Sequence, residues 1–178
     1  MTSLADKIVE LHRQLDASGL PHAFGGALAL AWCTERARGT IDIDLNVFVG
    51  AGELDRVLEA LPIQVRWGDD EEALLRRDGQ ARLWWDGTPV DLFLDTTDFH
   101  RRVAQRFRVE PFAGEEVPFL SCRDLAVFKA FFDRTKDWAD LEEMAGAGTL
   151  DVDVVIGVLV EFLGATDPRI ERLRSLRR

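Results

Sequence analysis

Two aspartates interrupt a run of branched aliphatic residues in the segment IDIDLNVFV, which extends from Ile41 to Val49. Side chains of a β-strand alternate between its faces, so Asp42 and Asp44 are predicted to share one face while Ile41 and Ile43 pack on the other. Along such a strand the two carboxylates would lie about 7 Å apart and repel each other unless a cation lay between them. Carboxylate oxygens suit Mg²⁺ or Mn²⁺. The segment therefore predicts a strand with one packed face and one metal-binding face.

A glycine pair precedes this strand and opens a short apolar segment. Gly25 and Gly26 stand before residues 27–33, which are apolar throughout and predict a helix buried against a sheet. The pair is compatible with an ordinary tight turn. It is also compatible with an anion-binding turn, because the free N–H groups at the start of a helix bind phosphate oxygens. The aspartates that follow favour the second interpretation.

A third acidic residue is predicted to reach the same face through a hairpin. Residues 81–85 and 88–94 have strand character, and Asp86-Gly87 between them is typical of a two-residue hairpin turn. If the second strand lies beside the Asp42–Asp44 strand, Asp91 joins the acidic face. Asp95 and Asp98 are alternatives, because the register is not determined by this pattern alone.

The rest of the chain indicates an α/β N-terminal part followed by helices. Ser3 is expected to cap a first helix that ends near Gly19, and residues 108–120 predict an irregular or edge-strand linker because they contain two prolines and a glycine. Helical spacing dominates from Ser121 onward. We therefore divide the chain into an α/β core, residues 1–120, and a C-terminal helical region, residues 121–178.

Taken in order, these motifs resemble the nucleotidyltransferase superfamily and, within it, the AbiEii/MenT-like toxins of bacterial type IV toxin–antitoxin systems. The resemblance spans about residues 22–141. It consists of the glycine pair, an Arg-x-Thr segment, the Asp-x-Asp strand, a later aspartate, a helical lysine and an Arg-x-Lys-Asp group. The matching residues are Gly25, Gly26, Arg38, Thr40, Asp42, Asp44, Asp91, Lys129, Arg134, Lys136 and Asp137.

The resemblance implies a fold and a set of roles. The implied fold is the polymerase-β-like nucleotidyltransferase fold, with a mixed sheet and a C-terminal helical bundle. Asp42, Asp44 and Asp91 would hold Mg²⁺ or Mn²⁺, with Asp91 as a further metal ligand or general base, and Lys129 would complete the catalytic set. The implied nucleotide-binding residues are Gly25, Gly26, Arg38, Thr40, Lys129, Lys136 and Asp137.

The residues of the helical region also allow simpler roles. Lys129 lies among phenylalanines, where a lysine can extend its charged end to water without binding a ligand. Asp137 can orient Lys136 or cap a helix that begins at Trp138. Arg134 and Lys136 can belong to an exposed helix junction.

The resemblance further implies an NTP donor, the 3′ end of tRNA as acceptor, and growth inhibition that a cognate antitoxin neutralises. The net charge of −10 opposes nonspecific binding to nucleic acid, so RNA contacts would be local. Basic clusters that offer such contacts, or are simply solvated helix faces, are Arg76-Arg77, residues 100–108 and residues 169–178. Two alternatives stay open: transfer to a small molecule such as an aminoglycoside or lincosamide, and a catalytically silent binding module of the same fold.

Composition limits the class of protein and its location. With 47% hydrophobic and 30% charged residues, the chain is typical of globular proteins. No apolar run approaches the roughly 20 residues that cross a bilayer, and the N-terminus lacks a basic start followed by an apolar core. We therefore expect a cytoplasmic protein without a membrane partner. Cys33 and Cys122 are far apart in sequence and are expected to be buried free thiols.

Overall fold

The computed structural model describes residues 2–177, and these form two compact units. The sheet unit comprises Met1–Gly26 and Gly39–Leu120, and the helical unit comprises Ala27–Arg38 and Ser121–Arg178. The chain therefore leaves the sheet unit after Gly26 and returns to it at Gly39. The segment Ala27–Arg38, which the sequence division placed in the N-terminal part, groups with the C-terminal helices.

Within the described residues, the sheet unit contains one mixed sheet of seven strands in the order β3-β4-β5-β2-β1-β7-β6. The β2–β5 and β1–β7 pairs are parallel, and the other neighbours are antiparallel. The predicted α/β fold class with a mixed sheet is thus confirmed. The strands are β1 His22–Phe24, β2 Ile43–Val47, β3 Val65–Arg66, β4 Gln80–Trp85, β5 Thr88–Leu94, β6 Arg108–Phe112 and β7 Glu115–Phe119.

The predicted hairpin around Asp86-Gly87 forms as β4 and β5. Both turn residues have positive φ, 46° at Asp86 and 78° at Gly87, which is the geometry of a type I′ turn that matches the twist of the flanking strands. Strand β5 then runs parallel to β2, and Asp91 lies directly opposite Asp44. The hairpin therefore carries Asp91 to the strand that bears Asp44.

The first helix of the sheet unit follows a local capping signal. The predicted cap of the first helix is confirmed, because the Ser3 hydroxyl accepts from Asp6 N while the Asp6 carboxylate accepts from Ser3 N. Helices α4 and α5 were not predicted, since α4 buries only Leu75 and α5 is six residues long. The helices are α1 Leu4–Ala17, α3 Leu54–Ala60, α4 Asp69–Asp78 and α5 Asp98–Val103, with a 3-10 turn at Ala51–Glu53.

The packed face of the sheet is apolar, and the alternation predicted for the Asp-x-Asp segment is present from Ile43 onward. Ile43, Leu45 and Val47 are fully buried, each contributing roughly 1.5–3 kcal/mol of hydrophobic stabilisation. The prediction that Ile41 packs on this face is wrong. Strand β2 begins at Ile43, so Ile41 lies outside the pleat and is 79% exposed. Asp42 likewise precedes the strand, and only Asp44 lies within it.

Of the interpretation of residues 108–120 as an irregular or edge-strand linker, the edge strand is confirmed for β6, whereas the irregular linker is wrong. These residues form the β6–β7 hairpin, in which Pro111 lies on edge strand β6, where a missing N–H is tolerated, and β7 joins β1 through the Phe24–Phe119 pair. The turn was hard to recognise because Ala113, with φ of 49°, occupies a left-handed position that usually selects Gly, Asn or Asp.

The helical unit contains the predicted C-terminal helices. Ser121, Asp151 and Asp167 cap them by accepting backbone N–H groups, as their residue types favour. Helix α7 begins at Thr135, so Asp137 lies in its first turn and does not cap a helix starting at Trp138. The helices are α2 Gly26–Thr34, whose first residue belongs to the sheet unit, α6 Cys122–Phe132, α7 Thr135–Ala147, α8 Val152–Leu163 and α9 Pro168–Arg174.

Cys33 and Cys122 form a disulfide between α2 and α6, so the expectation of free thiols is wrong. The two residues are separated by 89 positions, and their Cα atoms lie 5.5 Å apart. Sequence spacing could not reveal this pair because only the packing of α2 with the C-terminal helices brings the thiols together. In the part of the chain that the structure describes, no helix combines the length and apolarity that a membrane span requires.

Candidate active site

Asp44 and Asp91 form the centre of the candidate site. They are register partners on neighbouring parallel strands, so their Cα atoms lie about 4.8 Å apart and their side chains share one face. The alternative residues lie elsewhere: Asp95 follows β5, and both Asp95 and Asp98 form ion pairs with Arg101 of α5. The structure therefore places Asp91 beside Asp44, while the catalytic role of the pair stays a prediction.

The Gly25-Gly26 turn lies directly against Asp44. Gly25 N donates to the Asp44 backbone oxygen at 2.8 Å, and Gly26 has a φ of 56°. A Cβ atom built on Gly26 would lie 1.8 Å from Asp44 Oδ2, so any larger residue, serine included, would displace this carboxylate. Glycine at position 26 is therefore required by close approach as well as by backbone conformation. Gly26 and the acidic face meet at this point.

The Asp42 carboxylate is oriented by the nearby hydroxyl of Thr40. The Thr40 hydroxyl donates to Asp42 Oδ1 at 2.5 Å, which fixes the carboxylate just before β2 begins. Thr40, predicted to bind nucleotide, thus positions a predicted metal ligand in this structure.

Arg82 of β4 is a residue of the site that the sequence analysis missed. Its Nε and Nη2 donate to the two oxygens of Asp91, each at 2.7 Å, and Nη2 lies 4.0 Å from Asp42 Oδ2. The hydrogen bonds from Arg82 to Asp91, and then the charges of Asp91, Asp42 and Asp44, raise the pKa of the guanidinium. The signal was present in the sequence, because a two-residue turn at Asp86-Gly87 pairs residue 85 with 88 and therefore 82 with 91.

The carboxylate oxygens of the site are suitable ligands for a hard divalent cation. In this structure, however, Arg82 occupies the Asp91 carboxylate. Carboxylates hold a cationic group here, and that group is the guanidinium. Among residues 2–177, no three His, Cys, Asp or Glu side chains are gathered so that they could hold a metal ion together. Both oxygens of Asp91 are engaged by Arg82. Metal binding by Asp42, Asp44 and Asp91 stays a prediction.

Trp84 is a second missed residue on the same sheet face. It lies two positions beyond Arg82 on β4, about 7 Å along the strand, so alternation places both side chains on one side. Trp84 is 46% exposed, which is unusual for a large aromatic residue on a sheet. An exposed indole ring beside carboxylates offers a surface on which a flat ring could stack.

In the helical unit, the predicted Lys129 and Asp137 form with Asp140 a buried charge network, which we define as these three residues; the exposed Arg38 and Arg134 contact it from its border. Lys129 Nζ donates to Asp140 Oδ2 at 2.6 Å and lies 3.8 Å from Asp137 Oδ1. Arg38 donates to the other oxygen of Asp140. Asp140 was missed, although it follows the Lys136-Asp137 pair on the same helix.

Asp137 connects this network to Arg134. Its carboxylate accepts from Arg134 Nε at 2.6 Å and from Arg134 Nη2 at 3.1 Å. Lys136 differs from its neighbours because it is exposed. Of the two predicted lysines, Lys129 is therefore internally paired, whereas Lys136 faces solvent.

Basic clusters proposed from the sequence are largely ion-paired with carboxylates of the same unit. Arg76 pairs with Asp55 and Glu72, and Arg108 pairs with Glu110. In the C-terminal cluster, Arg169 pairs with Asp167 and Arg177 with Asp153. An RNA phosphate would have to compete with these carboxylates.

Comparison with known proteins defines the fold. No protein-family model matches the chain, and no curated protein sequence matches it. The solution structure of the antibiotic-resistance factor ANT(2'')-Ia is similar at 16% identity with a TM-score of 0.52, covering 96% of this chain and 89% of that one. A crystal structure of ANT(2'')-Ia in complex with adenylyl-2''-tobramycin is similar at 14% identity with a TM-score of 0.53, covering 96% and 94%. The chain has the nucleotidyltransferase fold.

Proposed function

We propose that this protein transfers a nucleotide from an NTP to the 3′ end of tRNA in a Mg²⁺- or Mn²⁺-dependent reaction. The observation that carries the proposal is the placement of Asp44, its register partner Asp91 and the Gly25-Gly26 turn on one sheet face. Acidic side chains beside a glycine turn that opens a helix combine cation ligands with an anion-binding backbone. This combination suits a metal-bound triphosphate.

The turn would bind the triphosphate through its backbone. Gly26 opens this turn at the start of α2, where main-chain N–H groups favour an anion. The Asp44 carboxylate fills the space that a side chain at position 26 would occupy, so a cation on that carboxylate would bring phosphate oxygens next to the main chain of the turn.

Asp42 and Asp44 would hold the cation, with Thr40 fixing the orientation of Asp42. When bound, the cation supplies Lewis acidity and neutralises charge on the phosphates. Asp91, once free of Arg82, would add one oxygen to the cation site and with the other accept the proton of the attacking hydroxyl. The same sheet face would thus position the donor and activate the acceptor.

The exposed ring of Trp84 supports RNA as the acceptor. Stacking of a nucleobase on an aromatic side chain contributes roughly 1–3 kcal/mol per base. A protein of net charge −10 gains from such a contact, since its overall field repels RNA. In the helical unit, exposed Lys136 is better placed than paired Lys129 for a direct phosphate contact.

The proposal includes a cellular role as a toxin with a cognate antitoxin. It rests on the resemblance of Arg134, Lys136 and Asp137 to the AbiEii/MenT-like pattern. Expression of the active protein would arrest growth, because a tRNA with an altered 3′ end cannot be charged normally.

A second candidate is adenylylation of an aminoglycoside. Both structures reported above are of ANT(2'')-Ia, one of them with adenylyl-2''-tobramycin bound. The net charge of −10 also suits a polycationic acceptor better than it suits RNA. The two candidates share the donor half of the reaction and differ in the acceptor.

The experiment that separates them uses each of the four NTPs with a label in the α-phosphate. Each is incubated with Mg²⁺ and either total tRNA or tobramycin. We expect label on the tRNA 3′ end, weakened by Trp84→Ala. Label on tobramycin with unmodified tRNA would favour the second candidate, and no transfer to either acceptor would favour a binding module.

The matched controls are two isosteric changes of acidic residues. Asp44→Asn should abolish transfer, whereas Asp70→Asn, which removes the same charge from exposed helix α4, should leave it unchanged.

A further inference from the structure

The cation held at the acidic face in this structure is a side chain of the protein itself. The fork of Arg82 binds Asp91 through two parallel hydrogen bonds of 2.7 Å, and it also faces Asp42 at 4.0 Å. Arg82 is about half exposed, with a side-chain exposure of 50%. Its guanidinium therefore offsets the negative charge of the acidic face while remaining in contact with solvent.

This pairing and metal coordination by Asp91 compete with each other. A bidentate guanidinium engages both carboxylate oxygens in one plane, with one hydrogen bond to each. A Mg²⁺ ion would have to lie about 2.1 Å from one of those oxygens, next to a group of the same charge sign. Each oxygen keeps a second lone pair, so the competition at Asp91 is electrostatic, between two positive charges for one carboxylate.

We propose that Arg82 and the divalent cation exchange at Asp91. Without a bound cation, Arg82 pairs with Asp91. Binding of the cation releases Arg82 from Asp91, and the released guanidinium donates hydrogen bonds to the substrate phosphate. This inference rests on the proposed function, because it requires that the carboxylates bind a divalent cation.

The exchange is physically accessible because the pair is partly solvated. Exposed ion pairs contribute little net free energy, so water and a competing ion can replace them. The long aliphatic stem of Arg82 lets the guanidinium swing away while β4 stays in the sheet. Trp84 lies on the same sheet face, two residues beyond Arg82 on β4.

The test measures Mn²⁺ affinity directly, by calorimetry and by the EPR signal of free Mn²⁺, without substrate. Arg82→Gln should bind Mn²⁺ about two- to fivefold more tightly than the wild type, which is the range that corresponds to loss of an exposed pair. Arg77→Gln removes the same charge from an exposed arginine of the same unit and should change the affinity much less. In an Asp91→Asn background, the effect of Arg82→Gln should disappear.

A second readout follows the arginine itself. The Arg82 Nε–H resonance, identified by its loss in Arg82→Gln, should shift when Mg²⁺ is added to the wild type. Arg82→Lys, which keeps the charge but loses the fork, should give intermediate Mn²⁺ affinity. The Arg82→Gln effect on Mn²⁺ affinity and the Nε–H shift together are expected if the guanidinium yields Asp91 to the cation.

The outcomes distinguish the inference from the proposed function. If the wild type binds Mn²⁺ and Asp44→Asn does not, but Arg82→Gln matches Arg77→Gln and the Nε–H signal stays in place, the exchange is overturned and the metal site stands. If neither the wild type nor Arg82→Gln binds Mn²⁺, the metal site falls and the inference falls with it.

Discussion

Two cations of this molecule are held by carboxylates in contrasting surroundings. Arg82 of the sheet unit pairs with Asp91 and faces Asp42 on a half-exposed surface. Lys129 of the helical unit pairs with Asp140 and lies near Asp137, with a side-chain exposure of only 8%. Each cation faces two carboxylates, and the difference between them is access to water.

This difference separates an exchangeable charge from a structural one. Removing one partner of a buried pair leaves an uncompensated charge and costs about 3–5 kcal/mol, whereas exposed pairs contribute roughly 0–1 kcal/mol. The buried charge network therefore stabilises the helical unit, while the acidic face can exchange its counter-ion for a ligand. The predictions below test this contrast, beginning with the largest effect.

Loss of a carboxylate from the acidic face should remove activity without unfolding the protein. Asp44→Asn keeps the shape that fits beside Gly26 and relieves repulsion between neighbouring carboxylates, but it loses a cation ligand. We expect nucleotide transfer to fall by about 1,000-fold, with an unchanged or higher Tm. Activity and thermal melting of the same preparation test this, and a large drop in Tm would show that Asp44 is structural.

Loss of the cationic side chain should destabilise the two regions to different extents. Lys129→Met should lower the free energy of unfolding by about 3 kcal/mol, because the buried Asp140 and Asp137 lose their buried cation and keep only the more exposed Arg38 and Arg134. Arg82→Met should lower it by at most about 1 kcal/mol. Urea unfolding of both variants measures the difference. Equal effects would mean that exposure does not distinguish the two pairs.

The disulfide should stabilise the helical unit further. Closing a loop of 89 residues restricts the unfolded chain, and removal of a bridge of this kind typically costs about 2–4 kcal/mol. The double variant Cys33→Ser/Cys122→Ser should be destabilised by that amount, and a reductant should affect the wild type but not the variant. A wild type insensitive to reductant would show that the bridge is absent in solution.

Acidification should weaken the sheet unit through buried histidines. Burial, and then the charge of His12, lowers the pKa of His22, whose Nδ1 bonds to Leu20 O at 2.7 Å. Because the unfolded state binds a proton more readily, stability is complete above about pH 6.5 and is lost as the pH falls through the lower folded-state pKa.

His100 also has a pKa lowered by burial and adds to the same slope. His22→Gln should therefore flatten the decline of Tm below pH 6.5 only in part. An unchanged slope would show that His22 is protonated equally in the folded and unfolded states.

The fold was largely predictable from local signals. The hydroxyls of Ser3 and Ser121 fix the starts of two helices. The Asp86-Gly87 pair fixes a turn, because Gly87 has no side chain to oppose a positive φ. The β6–β7 hairpin was not recognised, because its turn places Ala113 in a conformation that alanine rarely adopts. The disulfide and the assignment of Ala27–Arg38 to the helical unit depend on long-range packing, which no short pattern contains.

The positions of the carboxylates in the candidate site were predictable from the sequence, but the arginine that pairs with them was missed. Asp44 and Asp91 follow from strand alternation and hairpin placement. Arg82 and Trp84 were missed because they were treated as ordinary strand residues, although the hairpin register places Arg82 opposite Asp91. In the helical unit, Lys129 could be found from its motif, but its pairing with Asp140 required the packing of α6 against α7.

The central claim is that the acidic face transfers a nucleotide, and one paired measurement tests it most directly. The preferred NTP, labelled in the α- or the γ-phosphate in parallel reactions, is incubated with tRNA and Mg²⁺. We predict that α-label moves to the tRNA 3′ end and that γ-label is released as pyrophosphate, both events being lost in Asp44→Asn and retained in Asp70→Asn. Transfer of γ-label to the acceptor, or equal activity of Asp44→Asn, would contradict the account.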